Sequence, residues 1–192
     1  MFEQFLDAAR TQGALQWAAF VTGLAYVGLA ARQSVWCWAW GIGSVVLYFF
    51  VFWKIKLYSD ATLQVCYFFI SIYGWQQWRS QSLLSLAPTR WHWKQTAVGV
   101  AVALALTLPL GAFWATMGGA LPYADALLTS FSLLATWMTT KKIVQNWLFW
   151  IVINIGYIIL YWNRQVELTA VLYVVYLVMS VVGWRAWRKK VA

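Results

Sequence analysis

The sequence predicts an all-α polytopic membrane protein of seven transmembrane helices, and three observations point there. Of its 192 residues 63% are hydrophobic and 10% charged, with a mean hydropathy of +0.65, whereas soluble domains are nearer half apolar and a quarter charged. Apolar runs able to cross about 30 Å of hydrocarbon, at about 20 residues each, recur seven times. The chain also resembles itself at an offset of 109 residues, which marks an internal duplication. Sixteen Trp and ten Tyr suit the same solvent, because both rings join an apolar body to a polar handle and collect at membrane interfaces.

The first run, Ala14 to Ala31, follows a stretch holding Glu3, Asp7 and Arg10 with no basic n-region or small-residue cleavage pattern, so no removable signal peptide is expected. Val35 to Trp53 and Tyr58 to Trp78 are the second and third spans. They hold Cys37 and Cys66, read as buried small hydrophobes. The fourth, Gln95 to Met117, contains Pro109, where a kink is expected. Ala124 to Thr140 is short and rich in Ser and Thr; Val144 to Trp162 and Val166 to Trp187 complete the set.

Seven crossings put the termini on opposite sides. Arg10, Lys54, Lys56 and Arg164 fall on the N-terminal face; Arg32, Arg79, Arg90, Lys94, Lys141, Lys142, Arg185, Arg188, Lys189 and Lys190 fall on the other. The positive-inside rule then makes the C-terminus cytoplasmic and the N-terminus external. This topology accounts for the net charge of +9 without a nucleic-acid partner, since the basic residues lie between apolar runs and form no soluble stripe. All five acids, Glu3, Asp7, Asp60, Asp125 and Glu167, lie on the external face. They make a mouth suited to a cationic solute, or they are simply tolerated there.

At the 109-residue offset, Trp36 to Arg79 aligns with Gln145 to Arg188 without a gap, with thirteen identities in 44 positions. Four are Trp pairs (38/147, 53/162, 75/184 and 78/187), which shared hydrophobicity alone does not produce. The chain therefore reads as one membrane domain, 1–192, with repeat one at 14–79, a linker helix at 95–117 and repeat two at 124–188. Equivalent helices are four crossings apart, so the units are parallel. Transporters built this way hold their solute near the bilayer midplane between the units.

Polar side chains inside hydrocarbon are costly and usually face the protein interior, so they are the candidates for a binding site. The third span offers Gln64 and Ser71 on one face. In the sixth, Asn146, Trp150 and Asn154 follow at i, i+4 spacing, with Trp147 in the same run. Trp40, Tyr67, Tyr157 and Tyr176 supply aromatic faces nearby. The amides either bind solute or bond neighbouring helices. The aromatics either pack or hold a cation, an attraction of about 0.5 to 2 kcal/mol. No acid, Lys or His lies deep in a span, so facilitated diffusion is favoured over ion coupling. His92, in Arg90-Trp-His-Trp-Lys94, reads as interfacial. No metal cluster, cofactor motif or nucleophile–base pair is seen, so an enzyme is not expected. A non-transporting receptor or scaffold, with the aromatics as packing, is the competing class.

Four stretches carry a resemblance to a known family: Leu57-Tyr-Ser-Asp-Ala-Thr-Leu-Gln64, Ile72-Tyr-Gly-Trp-Gln-Gln-Trp78, Asn146-Trp-x-x-Trp150-x-x-x-Asn154 and Gly183-Trp-Arg-Ala-Trp187. With these, nearly the whole chain resembles the Pnu family of vitamin transporters. The resemblance implies a 3+1+3 fold like that of SWEET sugar transporters, a homotrimer in membrane lipid, and uniport of a cationic-ring vitamin that a cytoplasmic kinase traps by phosphorylation. It also implies substrate contacts at Gln64, Trp150 and Asn154. Nicotinamide riboside is the first expected solute. Thiamine is the second, because Ser71 and Val182 stand where riboside carriers of the family often have Asn. The site is expected to be asymmetric: Gln64 and Asn154 have Tyr173 and Val45 as their counterparts.

Overall fold

A computed structural model describes residues 14–54, 58–80, 87–118, 121–163 and 167–191. The N-terminal stretch without a signal peptide, with Glu3, Asp7 and Arg10, and the charges Lys56 and Arg164 lie outside the described residues. Among the described residues seven helices follow in order: α1 (Ala14–Ala31), α2 (Cys37–Lys54), α3 (Tyr58–Ser80), α4 (Trp93–Thr116), α5 (Pro122–Thr140), α6 (Asn146–Asn163) and α7 (Glu167–Arg188). Every bound lies within two residues of its expected position. Among the described residues there is no strand; an isolated backbone bridge pairs Thr89 with Ile143.

The small shifts have local causes. α2 starts at Cys37 because a tight turn precedes it, with the Cys37 amide donating to the Ser34 carbonyl at 3.0 Å. α4 starts at Trp93 because His92 caps it: its ring nitrogen accepts from the Lys94 amide while the Gln95 side chain accepts from the His92 amide, a capping box. α4 runs without interruption through Pro109. Taken singly, Trp93–Thr116 and Ala170–Arg188 are long and apolar enough to span, with mean hydropathies of 2.0 and 1.6. Trp17–Ala31 and Cys37–Trp53 are apolar but shorter.

The helices pack as a closed ring, α1–α2–α3–α5–α6–α7 and back to α1, with α4 laid against α5 outside it. On α4 the buried residues are Gly99, Ala103, Thr107 and Gly111, one small side chain per turn. Leu134 and Tyr123 of α5 fill the space over the two glycines. Close approach over small residues is the usual glue between helices in lipid, where apolar surface gains little by leaving apolar solvent. The opposite face of α4 exposes Val98, Val102, Leu108 and Phe113. Of the cysteines, Cys37 is buried as expected, whereas Cys66 is exposed on α3.

Where α1, α3, α5 and α7 end, four tryptophans close the ring. Trp38 meets Trp78 edge-to-face, with centroids 5.5 Å apart at 87°, and Trp147 meets Trp187 in the same way at 5.5 Å and 85°. Trp78 and Trp187 lie 6.0 Å apart between those pairs. The Trp78 indole N–H donates to the Thr140 carbonyl at 3.1 Å; the Trp187 N–H is shared between the Ala30 and Ala31 carbonyls at 3.1 and 3.2 Å. These bonds tie α3 to the end of α5 and α7 to the end of α1.

These features come in pairs 109 positions apart. Gly74 leaves room for the Trp38 ring, which a Cβ would meet at 2.5 Å, and Gly183 does the same for Trp147 at 2.7 Å. Gln33 and Lys142 both take the left-handed backbone, with φ of 61° and 54°, to close the ends of α1 and α5. Such a conformation costs a non-glycine residue about 1–2 kcal/mol. The Trp38 and Trp147 indole N–H groups are both buried without a hydrogen-bond partner.

Candidate functional site

The interior polar side chains gather at two depths. Midway along α6, Asn154 is 2% exposed, and its amide nitrogen donates to the Ser180 hydroxyl of α7 at 3.1 Å. Ser180 in turn donates to the Tyr176 carbonyl one turn earlier, at 2.8 Å. The Tyr176 hydroxyl reaches across to α1, where a Cβ on Gly23 would meet it at 2.5 Å and the Ser44 hydroxyl of α2 at 3.3 Å. Three helices, α2, α6 and α7, thus bring an amide, two serines and a phenol towards one level of the bundle, beside Gly23 of α1.

Around this level stands a stack of tyrosines. Tyr157 lies against Tyr173 with centroids 4.5 Å apart, and Tyr161 completes the stack at 5.4 Å from Tyr173 and 5.9 Å from Tyr157. Tyr176 meets Tyr173 edge-on at 5.9 Å. On the other side of the ring, Tyr67 of α3 lies near Tyr26 and near Ser132, whose buried hydroxyl makes no well-formed hydrogen bond. Ser71, one turn on from Tyr67, is 4% exposed.

Asn154, Tyr157 and Tyr176 therefore come together as the helical spacing suggested, with Tyr67 and Ser71 across the bundle. Gln64 and Trp150 are half-buried, on α3 and α6. Three other candidates sit elsewhere. Trp40 is 44% exposed and faces outward. Asn146 is fully buried in the α5–α6 turn, donating to the Ile143 carbonyl at 2.5 Å and accepting from Thr139 at 3.2 Å. Trp147 belongs to the tryptophan closure. Val182 is exposed and lines no interior surface. Ser180, Ser44, Tyr26 and Tyr173 were not singled out by the spacing argument, although the repeat pairs Ser180 with Ser71 and that pairing was a signal for it.

The charges stay at the ends. Asp60, Asp125 and Glu167 lie in the first turns of α3, α5 and α7. Lys141 stacks over Tyr73 and Trp137, 4.8 and 5.2 Å from the ring centres, and donates to the Tyr73 hydroxyl. Lys142 is 2% exposed, with its ammonium 4.9 Å over the Trp78 ring. Burial pulls its pKa below the usual lysine value, partly opposed by the nearby Cys37 thiol. No group of three or more metal-ligating side chains occurs among the described residues. A separate groove of about 450 Å³ between α4, α5 and α6, bordered by Leu104, Leu127, Phe131 and Val152, is apolar and lies outside the ring.

The family model described as nicotinamide mononucleotide transporter matches residues 13–189. The nicotinamide riboside transporter PnuC of Escherichia coli K12 is 26% identical over 195 residues, covering 87% of this chain and 82% of that protein. Its namesake in Neisseria mucosa is 28% identical over 189 residues, covering 90% and 71%. The crystal structure of the vitamin B3 transporter PnuC superposes with a TM-score of 0.76 at 26% identity, over 91% of this chain and 80% of that one.

Proposed function

Because the chain belongs to the nicotinamide mononucleotide transporter family, and is thus a multi-pass membrane transporter and not an enzyme, we propose that it takes up nicotinamide riboside across the inner membrane by facilitated diffusion. One observation carries the choice of nucleoside over nucleotide: the mid-depth groups around Asn154 are amide, hydroxyl and phenol, with Lys and Arg confined to the helix ends. A phosphate at that depth would have no cation to offset its desolvation. A cationic pyridinium ring meets aromatic faces there instead, each worth about 0.5 to 2 kcal/mol. The relatives named for nicotinamide riboside support the same solute.

Gln64, Trp150 and Asn154 are the proposed principal contacts, with Tyr67, Ser71, Tyr157 and Tyr176 around them. Asn146, Trp147 and Trp40 are left out, since their surroundings suit a turn, a closure and an outer surface. The lack of a mid-span carboxylate supports uniport, with phosphorylation by a cytoplasmic kinase keeping the gradient inward. Thiamine remains a second solute because Ser71 is buried where riboside carriers often have an amide. The Val182 substitution, being exposed, lends that reading no support.

The paired features 109 positions apart and the outlying α4 support a parallel 3+1+3, SWEET-like architecture. The excess of basic residues supports a cytoplasmic C-terminus. On this orientation the four tryptophans close the cytoplasmic end, and inward release requires the Trp78 and Trp187 bonds to part. The homotrimer expected from the family resemblance would present α4 and lipid-facing surfaces to its neighbours.

Calorimetric titration of purified protein with nicotinamide riboside and thiamine tests the solute. Binding of neither at micromolar levels would defeat the proposal. Asn154→Ala should weaken binding by about tenfold, as expected for losing a buried hydrogen-bonding group. Flux into liposomes separates a transporter from a receptor or scaffold, which would bind without transport.

A further inference from the structure

The Asn154–Ser180–Tyr176 chain has a direction. A serine hydroxyl carries one proton and two lone pairs. In Ser180 that proton is engaged by the Tyr176 carbonyl at 2.8 Å, so towards Asn154 the oxygen is an acceptor. The Asn154 nitrogen, 3.1 Å away, supplies the matching N–H. The amide is thereby oriented: its NH2 end is held by α7, and its carbonyl oxygen points away from Ser180. Turning the amide over would require the Ser180 proton to leave the Tyr176 carbonyl.

The first three-helix unit has no such device. The counterpart of Ser180 is Ser71, which is equally buried, but the counterpart of Asn154 is Val45. A serine stands at this position in both units, and only in the second does it have an amide to hold.

We propose that Ser180 is a positioning residue that makes Asn154 present an acceptor to the solute, so that the site selects ligands offering an N–H or O–H donor at that point. The inference rests on Asn154 contacting the solute, as proposed above. Two parts of a nicotinamide nucleoside carry such a donor, the ring carboxamide and the sugar hydroxyls. A carboxylate in place of the carboxamide offers only acceptors and would face the Asn154 oxygen unfavourably.

The test is a double-mutant cycle, Asn154→Ala, Ser180→Ala and both together, titrated with nicotinamide riboside, its carboxylate analogue and its deoxyribosides. Ser180→Ala should weaken riboside binding by about two- to tenfold, the range for one modest hydrogen bond. It should also narrow the preference over the donor-lacking analogue that normally fails at this point. Loss against the carboxylate identifies the carboxamide as the donor, and loss against a deoxyriboside identifies a hydroxyl. In the Asn154→Ala background the Ser180 change should have no further effect. Should Ser180→Ala fold poorly, Ser180→Cys keeps the size with a weaker acceptor and should fall in between. Unchanged selectivity against every analogue, or an equal effect of Ser180→Ala in the Asn154→Ala background, overturns the positioning role. If Asn154→Ala itself leaves riboside affinity intact, it is the location of the site that fails.

Discussion

Trp187→Phe tests whether the tryptophan closure is a gate. The substitution keeps an aromatic ring but removes the N–H shared by the Ala30 and Ala31 carbonyls at 3.1 and 3.2 Å. Ala30 still accepts from the Gln33 amide at 2.9 Å, so the loss is close to one net hydrogen bond, about 1 kcal/mol. Trp187 has no exposed surface, and trimming it inside the Trp147–Trp78 contact leaves a void worth about another 1 kcal/mol. Both terms stabilise the closed arrangement alone if opening separates α7 from α1. The open fraction should then rise about 30-fold, at about 1.4 kcal/mol per decade. Cys37 is a built-in reporter, since it is wholly buried in the same cluster while Cys66 is exposed. With Cys66 replaced by Ser, the alkylation rate of Cys37 from the basic side should rise by an order of magnitude or more. Trp78→Phe, which removes the counterpart bond to Thr140, should act likewise. A lowered melting temperature with unchanged Cys37 reactivity would show that the four rings are permanent packing and that this end does not open.

Gly183→Ala should destabilise by about 1–3 kcal/mol through overpacking, since the new Cβ would lie 2.7 Å from the Trp147 ring, whereas Gly43→Ala, with nothing within 4 Å, should be neutral or slightly stabilising; thermal melts in detergent compare them. Lys142→Met should raise the melting temperature at neutral pH. Burial lowers the Lys142 pKa, so the folded chain binds that proton more weakly than the unfolded one, and the penalty is full below the folded pKa and fades as pH climbs towards the ordinary lysine value. The advantage of Met should therefore shrink in alkali; an advantage that grows there would contradict the sign. Trp150→Leu should weaken nicotinamide riboside by about 2- to 30-fold if its ring faces the cation, with a smaller loss for the uncharged dihydro form. Equal losses for both would mean that charge is not what Trp150 recognises.

The helices were legible because hydropathy is written along the chain, and their bounds slipped where local turns or caps set them, as the Ser34 turn does before α2 and His92 with Gln95 do for α4. The site was legible in part. A helical face identifies residues that share an azimuth but is blind to depth: Asn146 and Asn154 lie on one stripe, yet eight residues put about 12 Å between them. The first therefore falls in the turn and the second in the polar layer. Trp147, the next residue along, falls at the tryptophan closure for the same reason. The repeat flagged the Trp78/Trp187 pair, but an alignment cannot reveal that the two rings lie 6.0 Å apart, because that contact depends on how the two units face one another. Ser180 was missed because serine is common in membrane helices and its meaning comes from Asn154, on another helix.

What the duplication keeps and what it changes have different physical roles. The closure is kept: two Trp–Trp contacts, two indole-to-carbonyl bonds, two glycines under rings and two left-handed caps, all at matching positions. Of the interior groups, Ser71 with Ser180 and Tyr67 with Tyr176 are kept as well, while others are changed. Asn154 faces a counterpart of Val45, Gln64 of Tyr173, and Trp150 of Gly41, where a Cβ would meet Tyr26 at 2.9 Å; the counterpart of Tyr26 is Ala135. Bulk on the first helix of one unit is thus exchanged for bulk on the second helix of the other. If the two three-helix units rock against each other in transport, as repeats do in alternating access, matched closures would let both interfaces part in the same way. A solute with a charged ring at one end and a sugar at the other has no such symmetry, and a cavity lined by identical halves would hold it equally well in two opposed poses. Divergence at these interior positions, over a retained pair of closures, would leave the solute a single favoured pose.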